Sequence, residues 1–320
     1  MSVEPAVAGF LIAEELGEVM LMRFGRLRDP DAEPEWDYIP HVLLDGLGGF
    51  AHMLRTYEGH ELKVSSSREV SPPSLKKKLS AVADALAREK KSPTRPPVPW
   101  KRYERSVIAG IPKAVGWAVL TEEESARVTR RHTTSMNSRV LWAFDRAVAP
   151  LLAGPHPPRL WLMPVNMRGA TGAADRMTNP VCAMPIEFSE GSSPEEVHAA
   201  VKEKFERGAH WGTWYLGRAR HLLGASAMRT AMRAYYARPR HAWMGTFSNL
   251  GDCSVPGRKP NYLYIGVPPA TLIYPITGAV MGWGGRLTLT LQAHASIATD
   301  PAEAMSMAAE WKRLALVASG

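Results

Sequence analysis

The run Ile39-Pro40-His41-Val42-Leu43-Leu44-Asp45-Gly46 sets an imidazole and a carboxylate four residues apart in an otherwise apolar stretch. Glycines follow at 46, 48 and 49. An imidazole with an ordinary pKa of about 6.5 is largely neutral at neutral pH, so it can take a proton from a hydroxyl or amine and later return it to a leaving group. The glycines permit tight backbone turning and close approach of a substrate. A histidine and an aspartate so placed also serve as a satisfied polar couple in a core, and residues 39–46 alone leave both readings open.

The elements around this run read as a mixed α/β chain. Residues 18–27 are rich in apolar side chains and predict a strand. Residues 35–44 predict a second, with Pro40 near its end, where a missing amide donor is tolerable. The glycines then lead into a short helix. From 61 to 105 the chain turns Ser/Pro/Lys-rich around one helical segment, in which Leu75, Leu79, Val82 and Leu86 follow helical spacing and predict a surface helix. Residues 106–120 predict strand structure.

The second half opens with a short helix and a polar turn. A longer helix follows, capped near Ser135 or Asn137, with a buried stripe of Val140, Leu141, Phe144, Val148 and Leu151. Residues 159–165 and 179–188 predict strands. Ser193 and Glu196 stand at capping-box spacing with Pro194 at the first helical position. Leu287, Leu289 and Leu291 alternate along a strand, and a closing helix starts at Asp300 with Glu303 completing a second box.

The histidine segment resembles the chloramphenicol-acetyltransferase-like superfamily, which includes peptide-synthetase condensation domains and the wax-ester and polyketide-associated acyltransferases. Its shared signature is HHxxxDG, and here Pro40 stands in place of the first histidine. Four further stretches are similar to family elements in the same order. They are the helix start at "TTSMNSRVLWAFDRAVAPLL", with Ser138 in place of the usual acid, the strand pair "LMPVNMR" and "NPVCAMPIEF", the strand end "GTFSNLGD", and the closing strand and helix from Gly284. Together they cover most of residues 35–316.

The resemblance implies a two-lobed α/β (α+β) fold with mixed, mostly antiparallel sheets flanked by helices and a channel between lobes. The expected lobes are 1–125, shortened and carrying the motif, and 126–320. It implies that His41 is the base, that Asp45 pairs with an arginine and locks the loop, and that Arg168 is that partner. It makes Ser248 or nearby amides the candidate oxyanion donors. Gly46 and Asn249 are implied positioning residues, and Asn166 and Trp283 candidate substrate contacts. Acyl-CoA or a phosphopantetheine thioester would be co-substrate, with no tightly bound cofactor and no metal. A small-molecule acceptor and an acyl or peptidyl carrier protein are the implied partners. Only forty residues precede His41, so the resemblance also admits completion of the site by a second subunit.

Composition is that of an ordinary globular chain: 320 residues, 45% hydrophobic and 22% charged, with a formal net charge of +8. No apolar run reaches the ~20 residues of a membrane span. There is no nucleic-acid motif, and the start lacks a basic leader, which makes it a poor secretory signal and a cytoplasmic location the expectation. Cys182 and Cys253 have no metal-like or disulfide spacing. Arg218, Arg229 and Arg233 lie among apolar residues, where they face a phosphate or simply extend over a packed helix. Two other functions stay open: a degenerate family member that binds without chemistry, and a cyclase or isomerase working from the same histidine.

Overall fold

The structure, a computed structural model, describes residues 5–62, 71–91, 95–104, 114–154, 158–171, 180–238, 242–254 and 260–320. The Ser-rich stretch at 65–70, residues 92–94 and the 106–113 part of the expected strand lie outside the described residues.

After helix α1 (Pro5–Glu15), strands β1 (Leu21–Leu27) and β2 (Glu35–Pro40) form an antiparallel hairpin in which Leu21 faces Pro40. Pro40 ends an edge strand, where the lost amide donor breaks no ladder. On the other side of β1 runs β7 (Leu263–Val267), also antiparallel, completing a three-stranded sheet in the order β2-β1-β7. Helix α2 (Gly46–Glu58) packs against this sheet and ends at Gly59, whose φ of 60° suits a residue without Cβ. The buried Glu58 carboxylate accepts hydrogen bonds from the amides of Asn261 and Tyr262 and from the Tyr264 hydroxyl, tying the end of α2 to the start of β7.

The larger sheet has six strands: β3 (Val115–Val119), β4 (Arg159–Asn166), β5 (Val181–Phe188), β6 (Trp243–Asp252), β8 (Ile276–Trp283) and β9 (Arg286–Ala293). They lie in the order β3-β9-β8-β6-β4-β5, and the sheet is mixed, because β4, β6 and β8 run parallel and the outer pairs antiparallel. Against one face pack α5 (Met136–Ala147) and α9 (Pro301–Val317). Val140, Leu141, Phe144, Trp311 and the alternating Leu287, Leu289 and Leu291 form the main core there, as the sequence periodicity requires. Ser135 caps α5, and α6 (Pro194–Glu206) carries the full Ser193–Glu196 capping box. In α9 the Asp300 side chain accepts from the Ala302 amide, a simple cap in place of the expected box with Glu303. Each sheet draws strands from both sides of residue 125: β7 completes the small sheet and β3 edges the large one.

The helix at 75–91 forms at the surface as expected, and its leucines face outward. In α3 (Leu75–Lys91) the buried residues are Ala81 and Ala85, whereas Leu75, Leu79 and Leu86 are exposed. The small residues win because α7 (Ala209–Leu222) approaches at backbone distance: a Cβ on Gly212 would sit 2.1 Å from the Ala81 carbonyl oxygen. A leucine at either contact would hold the helices apart.

Gly245 has the same role at the centre of the large sheet, where an added Cβ would lie 1.7 Å from the Ile276 carbonyl oxygen. Gly245→Ala is therefore expected to destabilise the protein by at least the ~1–3 kcal/mol typical of overpacking, since backbone cannot rotate aside. Denaturant unfolding checks this, and an unchanged midpoint would show that β6 and β8 are not that close.

Candidate active site

Between the two sheets lies a cavity of about 460 Å³, walled by β1 and β7 on one side and by β4, β5, β6 and β8 on the other. Helices α1, α7 and α8 (Ala225–Tyr236) close it, contributing Phe10, Trp214 and Tyr235 among others. Met20, Met22, Phe24, Leu47 and Leu250 make its wall largely apolar. His41, Asp45, Gly46, Asn166, Ser248 and Asn249 all border it.

His41 follows β2 directly. Its amide donates to the Met20 carbonyl (2.8 Å), and the Leu43 amide donates back to Pro40 (3.0 Å), so the chain reverses in a tight turn. The ring Nδ1 lies 3.0 Å from the Leu44 carbonyl oxygen. A carbonyl can only accept, so Nδ1 carries a proton and, in the neutral ring, the basic lone pair belongs to Nε2. Phe10 stacks on the ring with centroids 4.4 Å apart and planes 21° off parallel. Burial pushes the imidazole below its ordinary pKa, although the Leu44 bond and the Asp45 charge pull the other way. The neutral, proton-accepting form therefore dominates at neutral pH.

Asp45 binds two partners at once. Its Oδ1 accepts from the Gly48 amide (2.8 Å), making it the N-cap of α2, and from Arg168 Nη2 (2.8 Å). Its Oδ2 lies 2.6 Å from Arg168 Nη1, so the guanidinium grips the carboxylate with both prongs. Both side chains are almost wholly buried, at 2% and 0% exposure. Asn166 supports the arginine: its Oδ1 accepts from the Arg168 amide (3.0 Å) and faces Nη1 (3.4 Å). The oxygen of this expected substrate contact is thus engaged with Arg168, although the side chain does border the cavity.

The motif glycines serve packing more than turning, since none of Gly46, Gly48 and Gly49 has a positive φ. A Cβ on Gly46 would meet Leu250 at 2.7 Å, and one on Gly49 would meet Phe24 at 2.7 Å. They let α2 sit directly on β1 and on the end of β6.

Ser248 and Asn249 come from β6. Asn249 Oδ1 accepts from the Gly251 amide (2.7 Å) and its Nδ2 donates to Asn137 at the start of α5, so it braces the strand end. Trp283 is elsewhere. It lies four residues along β8 from Ala279, which borders the cavity, and that ~13 Å of strand carries it beyond the cavity. There it packs in the small core against Phe50 and Tyr264, so its expected contact with substrate is corrected to a core role. Arg218, Arg229 and Arg233 do not border the cavity either: Arg229 pairs with Glu15 on α1, and Arg218 lies over the Trp214 ring. Among the described residues no group of three or more His, Cys, Asp or Glu side chains is placed to hold a metal ion. Phe10 was missed by sequence reasoning, and its only signal was Pro5, a residue suited to a first helical turn, ahead of an apolar run.

No protein-family model matches the chain, and no curated protein matches it in sequence. Solved structures do. A trichothecene 15-O-acetyltransferase from Fusarium sporotrichioides superposes with a TM-score of 0.57 at 11% identity, over 92% of this chain and 70% of its own. A cyclization-docking bidomain of the peptide synthetase EpoB from Sorangium cellulosum gives 0.55 at 13%, over 90% of this chain and 60% of its own. The starter condensation domain of rhizomide synthetase RzmA, in complex with C8-CoA and Leu-SNAC, gives 0.50 at 10%, over 89% of this chain and 66% of its own. The chain has the condensation-domain and acetyltransferase-like fold.

Removing one member of the buried pair leaves an uncompensated charge. Asp45→Ala is expected to destabilise by about 3–5 kcal/mol, because it strands Arg168 and also removes the α2 cap. Asp45→Asn retains the cap acceptor and isolates the loss of charge. Thermal or denaturant melts check both, and an Asp45→Ala protein as stable as wild type would show that the pair does not hold the loop.

Proposed function

We propose that the protein is an acyltransferase that moves an acyl group from a thioester to a hydroxyl or amine acceptor, with His41 as the general base. The observation that carries this reading is a neutral imidazole on a mostly apolar cavity, its Nδ1 proton held by Leu44 and its loop anchored by the buried Asp45–Arg168 pair. In the reaction Nε2 removes the acceptor's proton as the nucleophile attacks the thioester carbonyl, and that proton then passes to the departing thiolate. No acyl-enzyme is needed. Ser248, on the same cavity, is the candidate donor to the tetrahedral oxyanion, a place where one well-aimed hydrogen bond is worth about 10²–10³ in rate.

The apolar wall suits the acyl or acceptor hydrocarbon. A neighbouring cavity of about 260 Å³ shares Leu162, Ala183, Thr213, Gly217 and Tyr274 with the first. Arg88, Arg95, Lys204 and Arg220 border it, two of them paired with Glu187 and Glu89, a charge balance suited to a phosphate-bearing thioester arm. Coenzyme A and a carrier-bound phosphopantetheine share that chemistry. The likeness to a condensation domain solved with C8-CoA is in keeping with it. A setting in specialised metabolite biosynthesis is part of this proposal, and the likeness to synthetase domains is in keeping with it.

The test is turnover of a thioester panel with hydroxyl and amine acceptors by wild type and His41→Ala. Loss of the base is expected to lower kcat by about 10²–10⁴ with the fold intact. Equal turnover by both proteins would refute the assignment, and a product of unchanged mass would indicate isomerisation instead. The pH profile adds a sign. Because burial lowers the His41 pKa, the acid limb of kcat/KM is expected below pH ~6.5, the unperturbed value. A limb at or above that value would contradict the desolvated site.

A further inference from the structure

Half of the exposed large apolar side chains among the described residues belong to one helix pair, α3 and α7. Leu75, Leu79 and Leu86 on α3 are 71%, 65% and 50% exposed, and Leu222 and Leu223 at the end of α7 are 86% and 72% exposed. The ion pair between Glu89 and Arg220 joins the last turns of the two helices, so both leucine groups belong to the same α3–α7 pair. Spacings of four and seven residues put the three α3 leucines within about 40° of one another, on a ridge roughly 16 Å long. Ala81 and Ala85, the packed face, lie about a quarter-turn or more away, so the ridge points outward.

The helix is strongly basic. Lys76, Lys77, Lys78, Arg88, Lys90 and Lys91 stand against Asp84 and Glu89, and Glu89 is already paired. Lys76, Lys90 and Lys91 are exposed, at the two ends of the ridge. Two chemistries want such a surface: an acidic protein, or a lipid layer with anionic headgroups. The residue types decide between them. Protein interfaces concentrate their binding energy in Trp, Tyr and Arg, under-use leucine and deplete lysine. Between Leu75 and Lys91 there is no aromatic residue, and the exposed cations are lysines. A convex leucine ridge flanked by long cationic stems is what sinks shallowly into an acyl-chain boundary while ammonium groups stay at the headgroups.

We propose that the exposed leucine ridge of α3, together with its lysines, docks the protein on an anionic lipid surface. The docking is to the face of that layer; among the described residues no helix is long and apolar enough to cross a membrane. The inference is independent of the acyl-transfer reading, since its leucines and exposed lysines border neither cavity.

Vesicle flotation of the 320-residue chain tests it, with phosphatidylcholine vesicles alone or containing phosphatidylglycerol. Wild type is expected to float with the anionic vesicles, to bind the neutral ones weakly, and to dissociate as salt rises. L75Q/L79Q/L86Q is expected to weaken binding about tenfold or more with an unchanged melting temperature, because these side chains are already in water. K76Q/K90Q/K91Q is expected to remove the preference for anionic lipid. Failure to bind either vesicle would overturn the proposal, as would undiminished binding by the leucine variant. So would self-association through the ridge without lipid binding, which would make it a contact between copies of the chain.

Discussion

The buried contact between Asp45 and Arg168 is the constraint on which the site depends. Its members come from segments that follow different sheets, Asp45 from the turn after β2 and Arg168 from just past the end of β4. A charge pair this deep persists only when its hydrogen bonds are nearly all supplied, and here the Gly48 amide and Asn166 supply several of the remainder. The same carboxylate that holds the large sheet also starts α2. One side chain therefore fixes the helix, the loop and the spacing between the sheets.

From that anchor the geometry of His41 follows by short local bonds. The backbone turn from Pro40 to Leu44 is closed by amide–carbonyl contacts, and the imidazole donates into the same turn. Nothing in that arrangement uses a second histidine, so Pro40 costs the loop no bond seen here while completing the edge of the small sheet. The glycines at 46 and 49 then let Leu250 and Phe24 close in, which shapes the apolar wall beside the ring. The cavity is thus a consequence of how closely α2 can lie on β1.

Much of this was legible in the sequence, and for identifiable reasons. Strands, capped helices and the leucine alternation of β9 follow from local periodicity, which survives in any tertiary context. The Asp45–Arg168 contact spans 123 residues and was legible only through the ordered motifs. Where no motif helped, long-range partners stayed hidden: Asp145 and Arg159 form a second buried pair, completed by the Trp161 indole, and nothing in their local sequence announces it. In α3 periodicity reveals an apolar stripe but not which face a neighbour takes, and Gly212 with Ala81 allows a close fit on the small face. Trp283 was an implied substrate contact, yet the Gly284–Gly285 turn folds β8 back on β9 and buries it in the small core.

The anchored turn presents a neutral imidazole whose basic nitrogen is Nε2. Nitrogen-15 NMR of the His41 ring at neutral pH measures that directly. The expected result is a proton on Nδ1 and an unprotonated Nε2. A ring protonated on Nε2 alone, or an imidazolium carrying both protons, would contradict it.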